Sequence, residues 1–128
     1  MKKFLLVLAA LMLAAQTVSA QFYDISEDEA TDKIEYLAEK GIINGTGDNM
    51  YTPERLVTRA EFAAMALRAL GLKEQAYEAN FIDVAEGDWY ANIVSAAVSA
   101  GWLHGYEDKT FRPNAPITRE EMAAVAAA

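Results

Sequence analysis

The 128-residue sequence contains no cysteine, one histidine and three prolines. Without cysteine there is no disulfide framework, so any fold must be held by packing alone. A lone His104 with no thiol and no second imidazole gives zinc no ligand set, and no metal site is expected. Cations are scarce beside anions, with 11 Lys and Arg against 19 Asp and Glu. A surface of that sign repels nucleic acid and anionic lipid, which argues against both as partners. Beyond residue 20 there is no uncharged apolar run of the roughly 20 residues that cross a bilayer.

What the sequence does have begins with a leader. Lys2 and Lys3 precede an uncharged apolar stretch from Phe4 to Ala15, and Val18-Ser19-Ala20 offers small residues for cleavage. This layout predicts a secretory signal peptide over residues 1–20, cut before Gln21, and hence a secreted protein with no stable membrane span once it is removed. A retained N-terminal anchor is the competing reading. Taking Lys2 and Lys3 from the 11 basic residues leaves nine against 19 acidic ones, a net charge of −10 for the mature chain.

The remainder repeats itself. FYDI at Phe22–Ile25 returns as FIDV at Phe81–Val84, and the stretch from Glu39 is echoed from Ser99. Gly41, Gly45, Asp48, Pro53, Thr58 and Glu61 stand 60 residues before Gly101, Gly105, Asp108, Pro113, Thr118 and Glu121, with one residue of slippage upstream. Self-similarity at a fixed period marks a repeat architecture. We divide the mature chain into repeat 1 (residues 21–72), a polar linker (73–80) and repeat 2 (81–128).

Each repeat reads as helix, irregular loop, helix, which makes the fold all-α. In repeat 1, Ser26 with Glu29 has the spacing of a capping box, and Ala30, Ile34, Leu37 and Ala38 recur at helical spacing. Gly41 is placed to end that helix. A second helix starts at Thr58 with Phe62, Met65, Ala66, Ala69 and Leu70 on one face, widened by Ala63, Ala64 and Leu67. Repeat 2 follows the plan with Trp89, Ile93, Ala97 and Val98 on its first helix. Its second helix starts at Thr118 and reaches Ala128 only about three turns later. This short helix predicts a truncated chain or another element covering it.

Thr58-Arg59-Ala60-Glu61 and Thr118-Arg119-Glu120-Glu121 both carry the capping-box pattern, which accounts for the threonines and glutamates as helix caps. It leaves the arginines unexplained, because a cation at the first helical position faces the positive end of the helix dipole. Two readings are open. One is a local ion pair, to Glu54 or Asp48 for Arg59 and to Asp108 or Glu107 for Arg119. The other is a site where guanidinium and free helix amides together hold a small anion such as a carboxylate or phosphate.

The ordered set F-x-D-V, an aromatic-bearing helix, G-Y-x-D-x-T-F-R-P-N and I-T-R-x-E, complete in FIDV and DWYANIVSAAVSAGWLHGYEDKTFRPNAPITREEM, resembles the S-layer homology (SLH) domain. The resemblance covers nearly all of the chain after the leader. It implies non-covalent anchoring of a secreted protein to the bacterial cell wall. Such modules usually come in threes, as a pseudo-threefold helical prism whose inter-repeat grooves bind a wall glycopolymer, commonly through a pyruvylated sugar, or modified peptidoglycan. Carried over, it implies Arg119 and Arg59 as carboxylate clamps, Asp83 and Asp24 as the family aspartates and Trp89 as the sugar platform. Gly105 and Gly45 would admit sugar close to the backbone, with Tyr106 and Asp108 in the same loop.

Repeat 1 departs from the pattern. Counting back from Gly41 puts Glu29 where repeat 2 has Trp89, and Thr46 stands for Tyr106. The usual glycine after the loop aspartate is Asn49 in one repeat and Lys109 in the other. The intact-looking site is therefore centred on repeat 2. A second function class remains: an assembly protein whose two repeats complete their bundle with another chain, a homo-oligomer or a partner supplying a third repeat. The loops GDNMYTPE and EDKTFRPN lack the ligand run of an EF-hand, and the scattered carboxylates read as solvated helix faces rather than a glycosidase pair. No cofactor and no enzymatic activity are expected.

Overall fold

The computed structural model describes residues 22–26 and 30–128. The predicted leader lies outside the described residues, as does Glu29. Four helices follow in order: α1 (Thr31–Glu39), α2 (Arg59–Ala69), α3 (Ala91–Ser99) and α4 (Arg119–Ala127). No strand occurs among the described residues, so the fold is all-α as the periodicity predicts. None of these helices is long and apolar enough to cross a membrane.

The helix termini follow the sequence closely. α1, α2 and α3 each end with a glycine in the left-handed region; φ is +69° at Gly41 and +75° at Gly101. In each, the glycine amide bonds back three residues and the next amide bonds back five, as in Gly101 N to Val98 O and Trp102 N to Ala97 O, both 3.0 Å. α2 and α4 carry complete capping boxes. Thr58 Oγ1 accepts from the Glu61 amide at 3.2 Å and Glu61 Oε2 accepts from the Thr58 amide at 3.1 Å. The Thr118 and Glu121 pair repeats this at 3.1 and 2.9 Å. α1 differs from expectation. It begins at Thr31 after Ala30 rather than at Ser26, with no side-chain cap at Ala30, and the Thr31 hydroxyl donates to the Ser26 carbonyl instead.

The buried stripe of α2 is also not the one expected. Ala60, Ala63, Ala64 and Leu67 are buried, whereas Ala69 and Leu70 are exposed. The reason is what α2 packs against. Its helical partner is α3, across the repeat boundary, rather than α1 within its own repeat. Alanines let α2 approach closely, and α3 answers with Ala91, Ile93, Val94, Ala96 and Ala97, all buried. Val84, Leu103, Phe111 and Ile117 of repeat 2 complete the same cluster. The core therefore lies between the repeats and is built mostly from repeat 2, while α1 and α4 have no buried residue.

The linker is fastened to α3 rather than loose. The Gln75 amide donates to Asn92 O at 3.3 Å and the Glu78 amide to the buried Ser95 hydroxyl at 3.1 Å. Tyr77 Oη donates to Val84 O and accepts from the Phe81 amide, each at 3.1 Å. Trp89 sits in the turn before α3 rather than on the helix.

Candidate functional site

Each segment, FYDI in repeat 1 and FIDV in repeat 2, pins its repeat's loop. Asp83 accepts from the Phe111 and Arg112 amides, both at 2.8 Å. Asp24 accepts from the Tyr51 and Thr52 amides at 2.7 and 2.6 Å. The Tyr51 amide holds the Asp24 carboxyl below its ordinary value of 3.8, with Thr52 adding to the effect. The forked carboxylate holds a backbone turn that is otherwise disfavoured, since Thr52 and Arg112 have φ of +58°. Both aspartates thus serve the loop.

The loop glycines have a similar explanation. A Cβ on Gly105 would collide with the Phe81 ring, and one on Gly45 with the Phe22 ring and the Met50 carbonyl. The expectation that these glycines admit a sugar gives way to a nearer occupant, the phenylalanine of their own FYDI or FIDV segment.

Arg59 answers the question raised by its position. Its side chain is 2% exposed and spans the repeat boundary. Nε donates to Phe111 O at 3.0 Å, one terminal nitrogen to His104 O at 2.7 Å, and the other pairs with Glu121. The Phe111 and Tyr106 rings lie 4.8 and 5.0 Å from the guanidinium carbon. Neither Glu54 nor Asp48 is its partner; the carboxylate comes from the capping box of the other repeat. The α2 amides are used too, Arg59 N donating to Ala115 O at 2.9 Å and Ala60 N to Pro113 O at 3.0 Å. The donors an anion would need at this helix start are already engaged, the Glu61 amide by Thr58 Oγ1 and the rest across the boundary. Arg59 is a clamp between the repeats.

The remaining expected residues separate. Tyr106 is sandwiched between Arg59 and Arg112, whose guanidinium carbon lies 3.8 Å from its ring centroid. Asp108 binds Thr110 and Arg112, and the Thr110 hydroxyl foremost holds its carboxyl below 3.8. It is not the partner of Arg119, which is exposed and has no ion pair among the described residues.

Trp89 lies elsewhere. The residue is 58% exposed, set edge-on against Tyr90, and faces repeat 1. There it helps line a cavity of about 250 Å³ with Ile43, Asn44, Gly45, Thr46, Tyr51, Thr52, Pro53, Arg55, Val57, Glu61, Ala64, Met65 and Arg68. The cavity exists because repeat 1 lacks what fills the same space in repeat 2. Thr46 replaces the Tyr106 ring, and no arginine occupies the position of Arg59. Its chemistry is mixed. Ile43, Val57, Ala64 and Met65 are apolar, the Thr46 and Thr52 hydroxyls are bonded to each other at 2.5 Å, and Arg55 pairs with Glu61 at 2.8 Å. Arg68 donates only a long bond, 3.4 Å, to Ile42 O. The candidate site is thus centred on the repeat 1 loop, with repeat 2 supplying Trp89. Sequence reading passed over Arg55 and Arg68. The signal available was the Thr46 departure, which marks vacated space as well as a missing ring. Among the described residues no group of His, Asp and Glu side chains could hold a metal.

Comparison with known proteins bears on this geometry. The S-layer homology domain profile matches residues 21–63 and again 80–123. The chain belongs to the S-layer homology family. Its two SLH repeats are similar to a segment of an exoglucanase from Acetivibrio thermocellus, 50% identical over 84% of this chain and 10% of the relative. They are also 33% identical to a cellulosome-anchoring protein of the same organism, over 88% of this chain and 26% of the relative. A surface layer protein of Brevibacillus choshinensis is 30% identical over 84% of this chain and 10% of its own length. The SLH chain thus spans only 10% of that exoglucanase and 6% of an amylopullulanase of Thermoanaerobacterium thermosulfurigenes that it also matches.

Proposed function

We propose that this chain anchors non-covalently to a bacterial cell-wall glycopolymer, and that the cleft between the repeat 1 loop and Trp89 receives the sugar. The observation that carries the reading is an exposed tryptophan placed by one SLH repeat over a cavity of the other. An indole face takes the C–H side of a sugar ring, while Arg68 and Arg55 offer charge for an acidic substituent such as a pyruvyl carboxylate. Glu61 and the backbone carbonyls beside it accept from sugar hydroxyls. Of the residues first singled out, Trp89 and Gly45 remain in this site. The names cellulosome-anchoring protein and surface layer protein, borne by relatives that share the segment, support attachment at the cell surface. Catalysis in the enzyme relatives is not carried over, since the shared segment is so small a part of them.

Co-sedimentation with purified wall sacculi tests the cleft. Trp89→Ala should weaken binding about tenfold, on the scale of truncating an interface aromatic, and Arg68→Gln should weaken it further at low salt. Lys73→Ala, on the exposed linker, controls for loss of a charge. If both cleft variants sediment like the parent, sugar does not bind there.

A further inference from the structure

The contact that joins the two repeats is made once and left unmade once. In repeat 1, α2 contributes the Arg59 side chain and the amides of Arg59 and Ala60. Repeat 2 receives them with the carbonyls of His104, Phe111, Pro113 and Ala115 and the Glu121 carboxylate. Shifted by the 60-residue period, both halves recur. The donor half is Arg119 with the amides of Arg119 and Glu120, and these amides make no bond among the described residues. The acceptor half is the carbonyls of Asn44, Tyr51, Pro53 and Arg55, which accept nothing among the described residues. It ends at Glu61, whose contact with Arg55 is solvent-exposed. All five acceptor residues line the cavity.

We infer that a second copy of this chain docks the start of its α4 on repeat 1, placing Arg119 in the cavity as Arg59 sits in repeat 2. Hydrogen-bond complementarity selects this occupant: an exposed guanidinium meets a cavity lined by free carbonyls, and Glu61 exchanges its solvent-exposed partner Arg55 for it. The helix faces agree. Ala123 and Ala124 match the buried Ala63 and Ala64 but are exposed, and α1, which corresponds to α3, has no buried residue. Docking covers both as α2 and α3 cover each other. The start of α4 on one copy meets the repeat 1 cavity of the next, a head-to-tail contact. Guanidinium and sugar would use the same acceptors, so the docked copy and the wall ligand are alternatives. That corollary rests on the proposed wall binding; the docking itself does not.

Analytical ultracentrifugation of the secreted chain over a range of concentrations tests the docking. The parent and Lys73→Ala should associate alike. Arg119→Ala should raise the dissociation constant about thirtyfold or more, the scale for removing one partner of a buried charge pair. It should leave the helical circular dichroism unchanged, because the Arg119 side chain makes no hydrogen bond or ion pair among the described residues. Glu61→Gln, which keeps an oxygen to cap α2, should also weaken association. A parent that stays monomeric at every concentration, association undiminished in Arg119→Ala, or association indifferent to Glu61→Gln overturns the inference. Wall co-sedimentation is a separate readout, so failure of one reading is distinguishable from failure of the other.

Discussion

At the scale of single residues, the loops take conformations that side chains resist. Asn49 and Lys109 occupy the position where the family pattern usually has glycine, and their φ values are +57° and +62°. A left-handed residue with a Cβ costs about 1–2 kcal/mol, and glycine returns part of that as unfolded-state entropy. Lys109→Gly should therefore raise stability by up to about 1 kcal/mol, read from the urea midpoint. This departure was legible in the sequence, and so were the threonine and glutamate caps, because both follow from local spacing. The role of Arg59 was not. Its carboxylate partner lies 62 residues away, and local arithmetic sees only the unfavourable dipole. Three carbonyl and carboxylate partners in a buried site outweigh a dipole term below about 1 kcal/mol.

At the scale of elements, the loop between helices is positioned by its aspartate fork more than by the helices themselves. Asp24 has a folded-state pKa below 3.8, so the deprotonated form is bound more tightly in the folded loop. The folded state then carries fewer protons than the unfolded one, and the stabilisation is present above about pH 4 and lost as pH falls through the lowered value. Amide exchange should show Tyr51 and Thr52 losing protection on acidification in that window. Asp24→Asn should lack this step and exchange faster at neutral pH. If protection at these two amides is the same in the parent and Asp24→Asn, the fork does not hold the loop. The helices were legible as elements, since alanine-rich periodicity and glycine stops survive any tertiary context. Their buried faces were less so, because α2 is apolar on several sides and only its neighbour decides which stripe is covered. Ala60 and Leu67 are buried because α3 lies there, and α3 belongs to the other repeat.

At the scale of the molecule, the unit that packs is not the unit that repeats. The sequence period runs helix, loop, helix, yet the core joins the second helix of one period to the first helix of the next. This is why the repeats were readable from identity at 60-residue spacing while the core was not. It also makes Arg59 the residue on which the repeats depend for their fit. Arg59→Met keeps much of the length and apolar stem but leaves the His104 and Phe111 carbonyls without their donor and Glu121 without its cation. Breaking a buried charge pair costs about 3–5 kcal/mol, and the low end applies because Glu121 is 26% exposed and regains water. The variant should lose about 3 kcal/mol of unfolding free energy in urea. Repeat 1, whose other share of the core is Ala60, Ala63, Ala64 and Leu67 of α2, should begin to unfold before repeat 2, so tyrosine fluorescence and helical circular dichroism should cease to report one coincident transition. A single transition with an unchanged midpoint would mean that the alanine face of α2 alone holds the repeats together, and that the guanidinium clamp adds nothing to their union.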